Sequence, residues 1–395
     1  MENQNRAGRF VQCDGFKTFV PAKLPPNPPV RNDSEMQRLL MLAERHLGQL
    51  NGITQILPNP DLFVTMYVKK EALLSAQIEG TQASFVDVLN AEYKAEQGDE
   101  TEEIVNYVNA MNWGLEELEN LPLCLRLIRN IHELLIHNTR GSDKRPGEFR
   151  TSQNWIGTAN CNLTEAVFVP PSVPDMNAAL RDLENYFHEK DDISALVKIA
   201  LIHAQFETIH PFLDGNGRIG RLLITFWLCQ QGILDKPLLY LSYYFKKNRL
   251  EYYDRLMNVR LKGDWEGWIK FFLQGVVEVS KEATMSAKDI LRLKEDCTAR
   301  LHESSSCNHY HYKLFDFLFE RPLVRRSQIA DLLKISNPTA GNILKTFCDL
   351  NILYDVTPAK NRNKRYAFAP YIQILSKGTE PAEDSETNNY RNQTE

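Results

Sequence analysis

The sequence predicts a mainly all-α protein that carries a β-hairpin flap and ends in a small, separate unit. Between residues 36 and 300, apolar residues recur at spacings of three and four, the period of helices with one buried face. Residues 145–175 break this period with prolines, glycines and short β-prone runs, which favours a hairpin or a long flap. Residues 308–372 read as three short helices followed by a β-ribbon, and they form the separate unit.

The two ends of the chain are predicted to lack helices. Residues 1–35 form an extended arm, because the five prolines of "VPAKLPPNPPV" (20–30) exclude a helix and favour polyproline geometry. Residues 376–395 are polar and mostly acidic, a composition typical of a disordered tail. The folded part is therefore expected between these ends.

The composition excludes several classes of protein. The 395 residues are 43% hydrophobic and 25% charged, which fits a soluble protein with sizeable cores. A net charge of -5 is not that of a protein whose whole surface binds nucleic acid. Seven single cysteines indicate a reducing compartment, and there is no apolar run of the roughly 18 residues that a membrane span needs. We therefore expect a cytoplasmic protein with no membrane partner.

One short segment concentrates residues that carry chemistry. "HPFLDGNGRIGR" (210–221) lies between two apolar-striped helices, so it is predicted to be the loop that enters a buried helix. The first N–H groups of a helix are unpaired and attract anions, and Gly215 and Gly217 allow them to face a phosphate. Arg218 and Arg221 point from one face of that helix toward the same anion. The segment is therefore predicted to bind phosphate groups.

Two other side chains of this loop indicate a reaction at the phosphates. Asp214 beside an anion is unfavourable unless a divalent cation lies between them, so we infer that Mg²⁺ bridges this carboxylate and the phosphates. His210 stands at the other end of the loop and is the side chain that can act as a base near neutral pH. The loop thus combines a phosphate site, a metal ligand and a base.

Two lookalike motifs are excluded. Gly215, Gly217 and Gly220 satisfy G-x-G-x-x-G, but the dinucleotide fingerprint needs a preceding strand, and this segment follows a predicted helix. "HELLIH" (132–137) resembles a zinc-protease motif, but its histidines are five residues apart instead of four and diverge on a helix. Neither a Rossmann fold nor a zinc site is predicted.

The loop sequence is similar to the signature of the Fic family, H-P-F-x-[DE]-G-N-G-R-x-x-R, at every defined position. The resemblance covers residues 36 to 300 and implies an all-helical Fic core. It further implies transfer of AMP from ATP to a hydroxyl side chain, on Tyr, Thr or Ser, of a target protein. The helical part then divides into an N-terminal region, residues 36–110, and a catalytic core, residues 111–300.

The resemblance also implies a role for each residue of the signature. His210 would deprotonate the target hydroxyl, and Asp214 would bind Mg²⁺ on the α- and β-phosphates of ATP. Arg218 and Arg221 would bind the β- and γ-phosphates. The other nucleotide-binding positions would be Gly215, Asn216, Gly217 and Gly220, the first three of them at the α-phosphate.

Two further segments resemble functional parts of the family. Residues 145–175 resemble the target-docking flap, which would pair with a strand of the substrate protein, with Ile156 against the target side chain. "NRLEYYDRLMNVR" resembles the adenine-contacting helix, with Tyr253 as the contact to the base. Some family members have an asparagine seven positions after that tyrosine, whereas this chain has Arg260.

A second motif, "SAQIEG" (75–80), resembles the inhibitory [ST]-x-x-x-E-[GN] helix of the family. Ser75 and Glu79 share one helix face, and Gly80 suits the position just after a helix end. A carboxylate in the last helical turn gains from a cationic partner. The resemblance implies that this partner is Arg221, which could then not bind the γ-phosphate, so that the resting enzyme would be autoinhibited.

The C-terminal unit supports a function of another class. Its three helices followed by a ribbon resemble a winged helix-turn-helix, and residues 310–370 contain ten Lys and Arg against five Asp and Glu. It is therefore a candidate DNA-binding regulator, although winged helices also serve as protein-binding or dimerising modules.

The sequence alone leaves the exact reaction and the oligomeric state open. The Fic scaffold is compatible with transfer of another phosphate-containing group, and with removal of AMP by a water that Glu79 positions. Modification of the chain itself and assembly into a homodimer are also compatible with the sequence.

Overall fold

The computed structural model describes residues 4–56, 60–91, 99–139, 141–157, 161–357 and 364–381. These residues form fifteen helices and six short strands, and the predicted mainly α-helical class is confirmed. The helices are α1 Ser34–Ile56, α2 Pro60–Ile78, α3 Phe85–Ala91, α4 Asp99–Glu117, α5 Leu125–Ile136, α6 Val173–His188, α7 Ala195–Ile209, α8 Asn216–Gln230, α9 Ser242–Lys247, α10 Arg249–Lys262, α11 Trp265–Glu303, α12 His309–Glu320, α13 Arg326–Leu333, α14 Asn337–Asp349 and α15 Ala369–Ser376. The strands are β1 Gln4–Asn5, β2 Gly8–Gln12, β3 Lys17–Pro21, β4 Leu323–Arg325, β5 Tyr354–Asp355 and β6 Arg365–Ala367.

The N-terminal arm contains a small sheet that the sequence analysis missed. Strands β1, β2 and β3 pair antiparallel in that order. The buried Phe19 of β3 donates its N–H to Val169 O at 3.0 Å, which connects the sheet to the flap segment. The prolines that predicted an extended arm begin only at Pro21, and the strands before them are at most five residues long, too short to show a period.

Helices α7 and α8 form the centre of the molecule. The sequence predicts α7 as an amphipathic helix, but thirteen of its fifteen residues are buried. The reason is that α6, α8, α10 and α11 all pack against it. Its histidine is buried with two partners: the ring nitrogens of His203 bond Gly220 O and the Tyr252 hydroxyl, both at 2.9 Å.

Two of the predicted domain boundaries fall inside helices. The boundary between residues 110 and 111 lies within α4, and the boundary at residue 300 lies within the 39-residue helix α11. Buried apolar side chains form one cluster that extends from Ala7 to Leu375. The N-terminal region, the core and the C-terminal unit therefore share helices and a continuous interior.

The C-terminal unit follows α11 in the order α12, β4, α13, α14, β5, β6, α15. Its three strands form an antiparallel sheet in the order β4, β6, β5. The sequence analysis did not anticipate β4 or α15. The winged-helix assignment stays a prediction, and part of the basic ribbon, residues 358–363, lies outside the described residues.

The tail that was predicted to be disordered begins with an ordered segment. Residues 376–381 pack on the core, where Thr379 is only 2% exposed and its carbonyl accepts a hydrogen bond from Gln77. The prediction was therefore wrong for these residues, whose polar groups find partners far away in the chain. Residues 382–395 lie outside the described residues. In the part of the chain that is described, no helix combines the length and apolar character needed to cross a membrane.

Candidate active site

The predicted active-site loop connects α7 to α8, and contacts within the loop determine its shape. His210 has a left-handed backbone (φ 49°), and its N–H donates to Phe206 O at 2.9 Å. The side-chain amide of Asn216 bonds both the N–H and the carbonyl of Phe212, each at 2.9 Å. Gly215 has φ 75°, a conformation that favours glycine. The Asn216 side chain thus closes the loop, and the first backbone N–H groups of α8, which have no partner within the helix, follow directly after it.

A buried histidine of α5 supports this loop from below. The ring of His132 stacks on Phe212 with centroids 3.7 Å apart. Gly147 N donates to His132 Nδ1 at 2.9 Å, and Nε2 contacts Asp214 O at 3.0 Å. Burial lowers the pKa of His132 to about 4, so the ring is neutral and Nε2 is its donor. His132, the first residue of "HELLIH", therefore supports the active-site loop.

The flap segment contacts the same loop from the other side. Arg150, which is buried, and Asn154 both donate to His210 O, each at 3.1 Å. Asn154 Nδ2 also donates to Phe212 O at 3.0 Å. These two side chains were not predicted as site residues, since nothing in the local pattern distinguishes them from other polar loop residues.

The flap contains fewer paired residues than the predicted hairpin. Ile156 and Phe168 exchange two backbone hydrogen bonds, at 2.8 and 3.0 Å, in a single bridge. Val169 accepts from Phe19 of β3, so residues 168–169 lie between Ile156 and the N-terminal sheet. Residues 158–160 lie outside the described residues. The half-buried Ile156 is thus placed on a pair of extended segments.

The imidazole of His210 lies beside two buried arginines. Burial, Arg260 and Arg150 together lower the pKa of His210 to about 3, against weaker opposing effects of the Glu207 backbone and Asp214. The ring is therefore neutral at pH 7, the form that can accept a proton. Its Nδ1 is buried and has no hydrogen-bond partner among the described residues.

Arg218 of α8 has unused donors. Its Nη2 donates to Asp214 Oδ1 at 3.1 Å, and its Nη1 lies 3.9 Å from the buried carboxylate of Glu103. Its Nε and Nη1 are buried without a hydrogen bond within the described residues. A buried guanidinium with unsatisfied donors suits a polyanionic ligand.

Arg221, three residues on, is fully engaged by α2. Its Nε donates to Ser75 Oγ at 2.8 Å, and its Nη2 donates to Ser75 O at 3.1 Å and to Glu79 Oε1 at 2.5 Å. The arginine side chain is 2% exposed and that of Glu79 is 29% exposed. Burial alone would lower the pKa of Arg221, but the charge of Glu79 raises it above its usual value.

The glycines around this ion pair allow the two helices to approach. Gly80 ends α2 with φ 103°. A Cβ at Gly217 would lie 2.5 Å from Glu79 Oε1, so the carboxylate lies directly on the first turn of α8. A Cβ at Gly220 would instead collide with Glu207 Oε1 of α7. Gly220 therefore faces α7, and its predicted nucleotide contact is not supported by its position.

The helix predicted to contact adenine presents two neighbouring tyrosines with different surroundings. Tyr252 is buried against His203, whereas Tyr253 is only partly buried. Burial and the nearby charge of Glu79 raise the pKa of Tyr253 to about 12, which places Tyr253 near the Glu79 carboxylate. Tyr253 is thus the tyrosine of this pair that a ligand in the site could reach.

Arg260 takes a structural position. Its guanidinium donates to Thr208 Oγ1 at 3.2 Å and Glu207 O at 3.0 Å, at the end of α7. It also lies 3.9 Å from the ring centroid of Phe168 in the flap. The residue that replaces the family asparagine thus contacts the last turn of α7 and the flap.

The geometry therefore brings most predicted site residues together around the start of α8. The residues that meet there are His210, Asp214, Gly215, Asn216, Gly217, Arg218, Arg221, Ser75 and Glu79. The sequence analysis missed His132, Arg150 and Asn154, which bind the loop through backbone carbonyls.

Two parts of the chain match known family models. Residues 37–116 match the family model described as Fic/DOC family N-terminal, and residues 122–228 match the one described as Fic/DOC family. A Fic family protein from Desulfovibrio desulfuricans has a similar fold, with a TM-score of 0.57 and 19% identity over 86% of this chain and 97% of that chain.

Two curated relatives are similar over shorter stretches. A probable protein adenylyltransferase of Aquifex aeolicus is 37% identical over 70 residues, which are 18% of this chain and 22% of that protein. Protein adenylyltransferase Fic of Aedes aegypti is 29% identical over 177 residues, 44% of this chain and 32% of that protein. The chain thus spans less than a third of the length of either relative. Residues 37–116 and 122–228 thus contain the two regions that the Fic/DOC family models describe, and the fold of the chain is that of a Fic family protein.

Proposed function

We propose that this protein is an adenylyltransferase that transfers AMP from ATP to a hydroxyl side chain of a target protein. The observation that carries the proposal is the juxtaposition of a neutral His210 with the start of α8 and with the two buried arginines of that helix, Arg218 and Arg221. The names of the two curated relatives support the same activity.

The chemistry assigned to the loop is a substitution at the α-phosphorus of ATP. His210 accepts the proton of the target hydroxyl while the hydroxyl oxygen forms a bond to the α-phosphorus. The bond from the α-phosphorus to the bridging oxygen breaks, and pyrophosphate leaves. Arg218, with its unsatisfied buried donors, and Arg221 stabilise the negative charge of the β- and γ-phosphates.

Mg²⁺ is the cofactor that fits the loop. The described residues contain no cluster of three His, Cys, Asp or Glu that would form a metal site of protein ligands alone. Asp214, however, is 40% exposed beside the predicted phosphate site, and Mg²⁺ typically binds one or two carboxylates together with substrate phosphates and water. Such an ion would neutralise phosphate charge, and Asp214 is the carboxylate that would bind it.

We further propose that Glu79 inhibits the transfer. The ion pair with Arg221 removes the side chain that the γ-phosphate needs, and the carboxylate lies on the first turn of α8, where the phosphates would bind. ATP would therefore bind in a pose that is poorly aligned for attack, which costs about 10²-fold or more in rate.

The proposal is tested by incubating the protein with Mg²⁺, ATP and a cell lysate, and by searching proteins by mass spectrometry for the mass gain of one AMP. Glu79→Gly is expected to raise labelling of the target, or of the protein itself, by about 10²-fold. Glu79→Gly combined with Arg221→Ala is expected to lose this gain, because the released arginine is then missing. Glu189→Gly is the matched control, since Glu189 is exposed and also directly follows a helix, the remote α6.

Each result has a distinct meaning. Absence of AMP labelling by the wild type and by Glu79→Gly would contradict adenylyl transfer. Equal labelling by both would contradict autoinhibition alone. Loss of AMP from labelled protein with the wild type, but not with Glu79→Gly, would favour AMP removal, and labelling by another nucleotide would favour transfer of a different phosphate-containing group.

DNA binding by the C-terminal unit stays a separate prediction. The exposed residues of α14 include both Lys345 and Asp349, so this helix presents no one-sided basic surface. A mobility-shift titration of the full chain with duplex DNA would test it, because specific or non-specific binding to phosphates weakens steeply with salt. Retention of the free-DNA mobility at low salt would leave protein contact as the function of this unit.

A further inference from the structure

The end of the chain lies against the helix that carries the inhibitory glutamate. Residues 376–380, here called the strap, extend from the last residue of α15 and pack on α2 and α9. Gln77 of α2 donates from Nε2 to Thr379 O at 2.9 Å, across 302 positions of sequence. Both residues are buried, at 6% and 2% exposure.

Gln77 stands between the two inhibitory residues on the opposite side of the helix. Successive residues of an α-helix are rotated by about 100°, so Gln77 points away from Ser75 and Glu79, which are each two positions distant. Those two side chains bind Arg221, while Gln77 binds the strap. The same amide also donates to Ala83 O at 2.9 Å, which bonds the helix end to the loop that follows it.

The strap packs closely on α9, and a side chain at position 378 would prevent this packing. Gly378 has φ 79°, and a Cβ there would collide with Cε2 of Tyr243. Lys246 donates from Nζ to the carbonyls of Gly378 and Glu380. Burial lowers the pKa of Lys246 to about 8, with Glu380 acting in the opposite direction. The strap therefore binds a specific surface of α9.

The other end of the strap is tied to the C-terminal unit. Tyr371 of α15 is buried and donates to Phe319 O of α12 at 3.2 Å. Because α12 and α15 themselves pack on α2, a displacement of these two helices from α2 would carry residues 377–380 with it.

We propose that the strap strengthens autoinhibition, because it holds the last turn of α2 in the position where Glu79 contacts Arg221. Displacement of the strap together with the C-terminal unit then activates the enzyme. This inference rests on the proposed function, because it needs the Glu79–Arg221 contact to be inhibitory. In this proposal the C-terminal unit responds to the activating signal, and the strap links that unit to α2.

Two substitutions test the contact from its two sides. Gln77→Met removes the amide and keeps the size of the side chain, and Gly378→Val displaces the strap from Tyr243. Each is expected to raise AMP transfer about 3- to 10-fold, the change that loss of one or two buried hydrogen bonds produces. Gly232→Val is the matched control, since Gly232 also has positive φ (65°) but has open space where Cβ would stand.

The same substitutions are then placed in the Glu79→Gly background. The expected result there is no further gain, because the element that the strap secures is already absent. Hydrogen exchange of α2 in the otherwise wild-type protein is expected to accelerate in both strap variants and not in Gly232→Val.

The outcomes separate the two proposals. If Glu79→Gly activates the enzyme but either strap variant leaves transfer unchanged, the strap proposal is overturned and autoinhibition stands. A further gain in the Glu79→Gly background, or a fall in transfer in both backgrounds, also overturns it, because the strap would then act on the catalytic core. If Glu79→Gly does not activate, the proposed inhibition itself has failed.

Discussion

The active-site loop and the inhibitory helix meet at α8, but they are held in different ways. Contacts of four residues or fewer along the chain join His210 to Phe206, Asn216 to Phe212 and Arg218 to Asp214, and three residues from other segments, His132, Arg150 and Asn154, bind the loop carbonyls. The inhibitory contact joins Arg221 to residues 142 and 146 positions away. The loop is therefore held by several independent contacts, whereas the contact of Arg221 with α2 can be broken by moving one element. We accordingly expect the loop geometry to be constant and the proposed inhibition to be adjustable.

The largest expected effect separates chemistry from architecture in the loop. His210→Ala in the Glu79→Gly background is expected to lower AMP transfer by about 10²- to 10⁴-fold, because it removes the proton acceptor. Binding of Mg·ATP, measured by calorimetry, should be retained, because the Asn216–Phe212 contacts do not involve this side chain. Undiminished transfer would refute the base, and loss of nucleotide binding would show that the loop is less autonomous than its local contacts indicate.

The second effect concerns the metal. Asp214→Ala in the Glu79→Gly background is expected to reduce transfer by about 10²-fold and to abolish its dependence on Mg²⁺ concentration. The measurement is the initial rate at rising Mg²⁺ with fixed ATP. Asp143→Ala, an exposed aspartate outside the loop, is the control. A wild-type Mg²⁺ dependence in Asp214→Ala would refute this carboxylate as the metal ligand.

A smaller effect tests the long-range contact between Arg221 and the end of α2. Ser75→Ala removes one bond to Arg221 and leaves Glu79 in place, so a gain in transfer of about 3- to 10-fold is expected. Ser194→Ala, remote from Arg221, serves as control and should leave the rate unchanged. A gain as large as that of Glu79→Gly would mean that the hydroxyl, and not the charge, maintains inhibition.

The smallest effect is on stability and concerns the α7–α8 contact beneath the loop. Burial lowers the pKa of His203 to about 3, from an ordinary value of 6.5. The unfolded chain therefore binds a proton between these values that the folded chain does not, so this contribution is complete above pH 6.5 and declines as pH falls toward 3.

Urea unfolding of wild type and His203→Gln at pH 7 and pH 5 measures this contribution. We expect the wild type to lose about 1 to 2 kcal/mol more than the variant between the two pH values. Parallel losses would show that His203 is protonated in the folded state.

The errors of the sequence analysis have a common physical origin. Helix α7 has the pattern of an amphipathic helix, yet thirteen of its fifteen residues are buried because four other helices pack around it. The tail from residue 376 has the composition of a disordered segment, yet Thr379 is buried because Gln77 offers its carbonyl a partner. Composition and spacing describe a segment by itself, and in these cases the surroundings decided.

The sequence by itself determined the helical class, the loop between two apolar helices and the residues at its turns, because helix periods, glycines with positive φ and contacts within four residues are encoded locally. Only the tertiary structure decided that His132, Arg150 and Asn154 bind the loop carbonyls, that His210 is neutral, and that Glu79 and the strap meet the helix ends they contact. The burial and the hydrogen-bond partners of a side chain depend on groups that are distant in the chain. They determine both the protonation of His210 and the contact between Glu79 and Arg221.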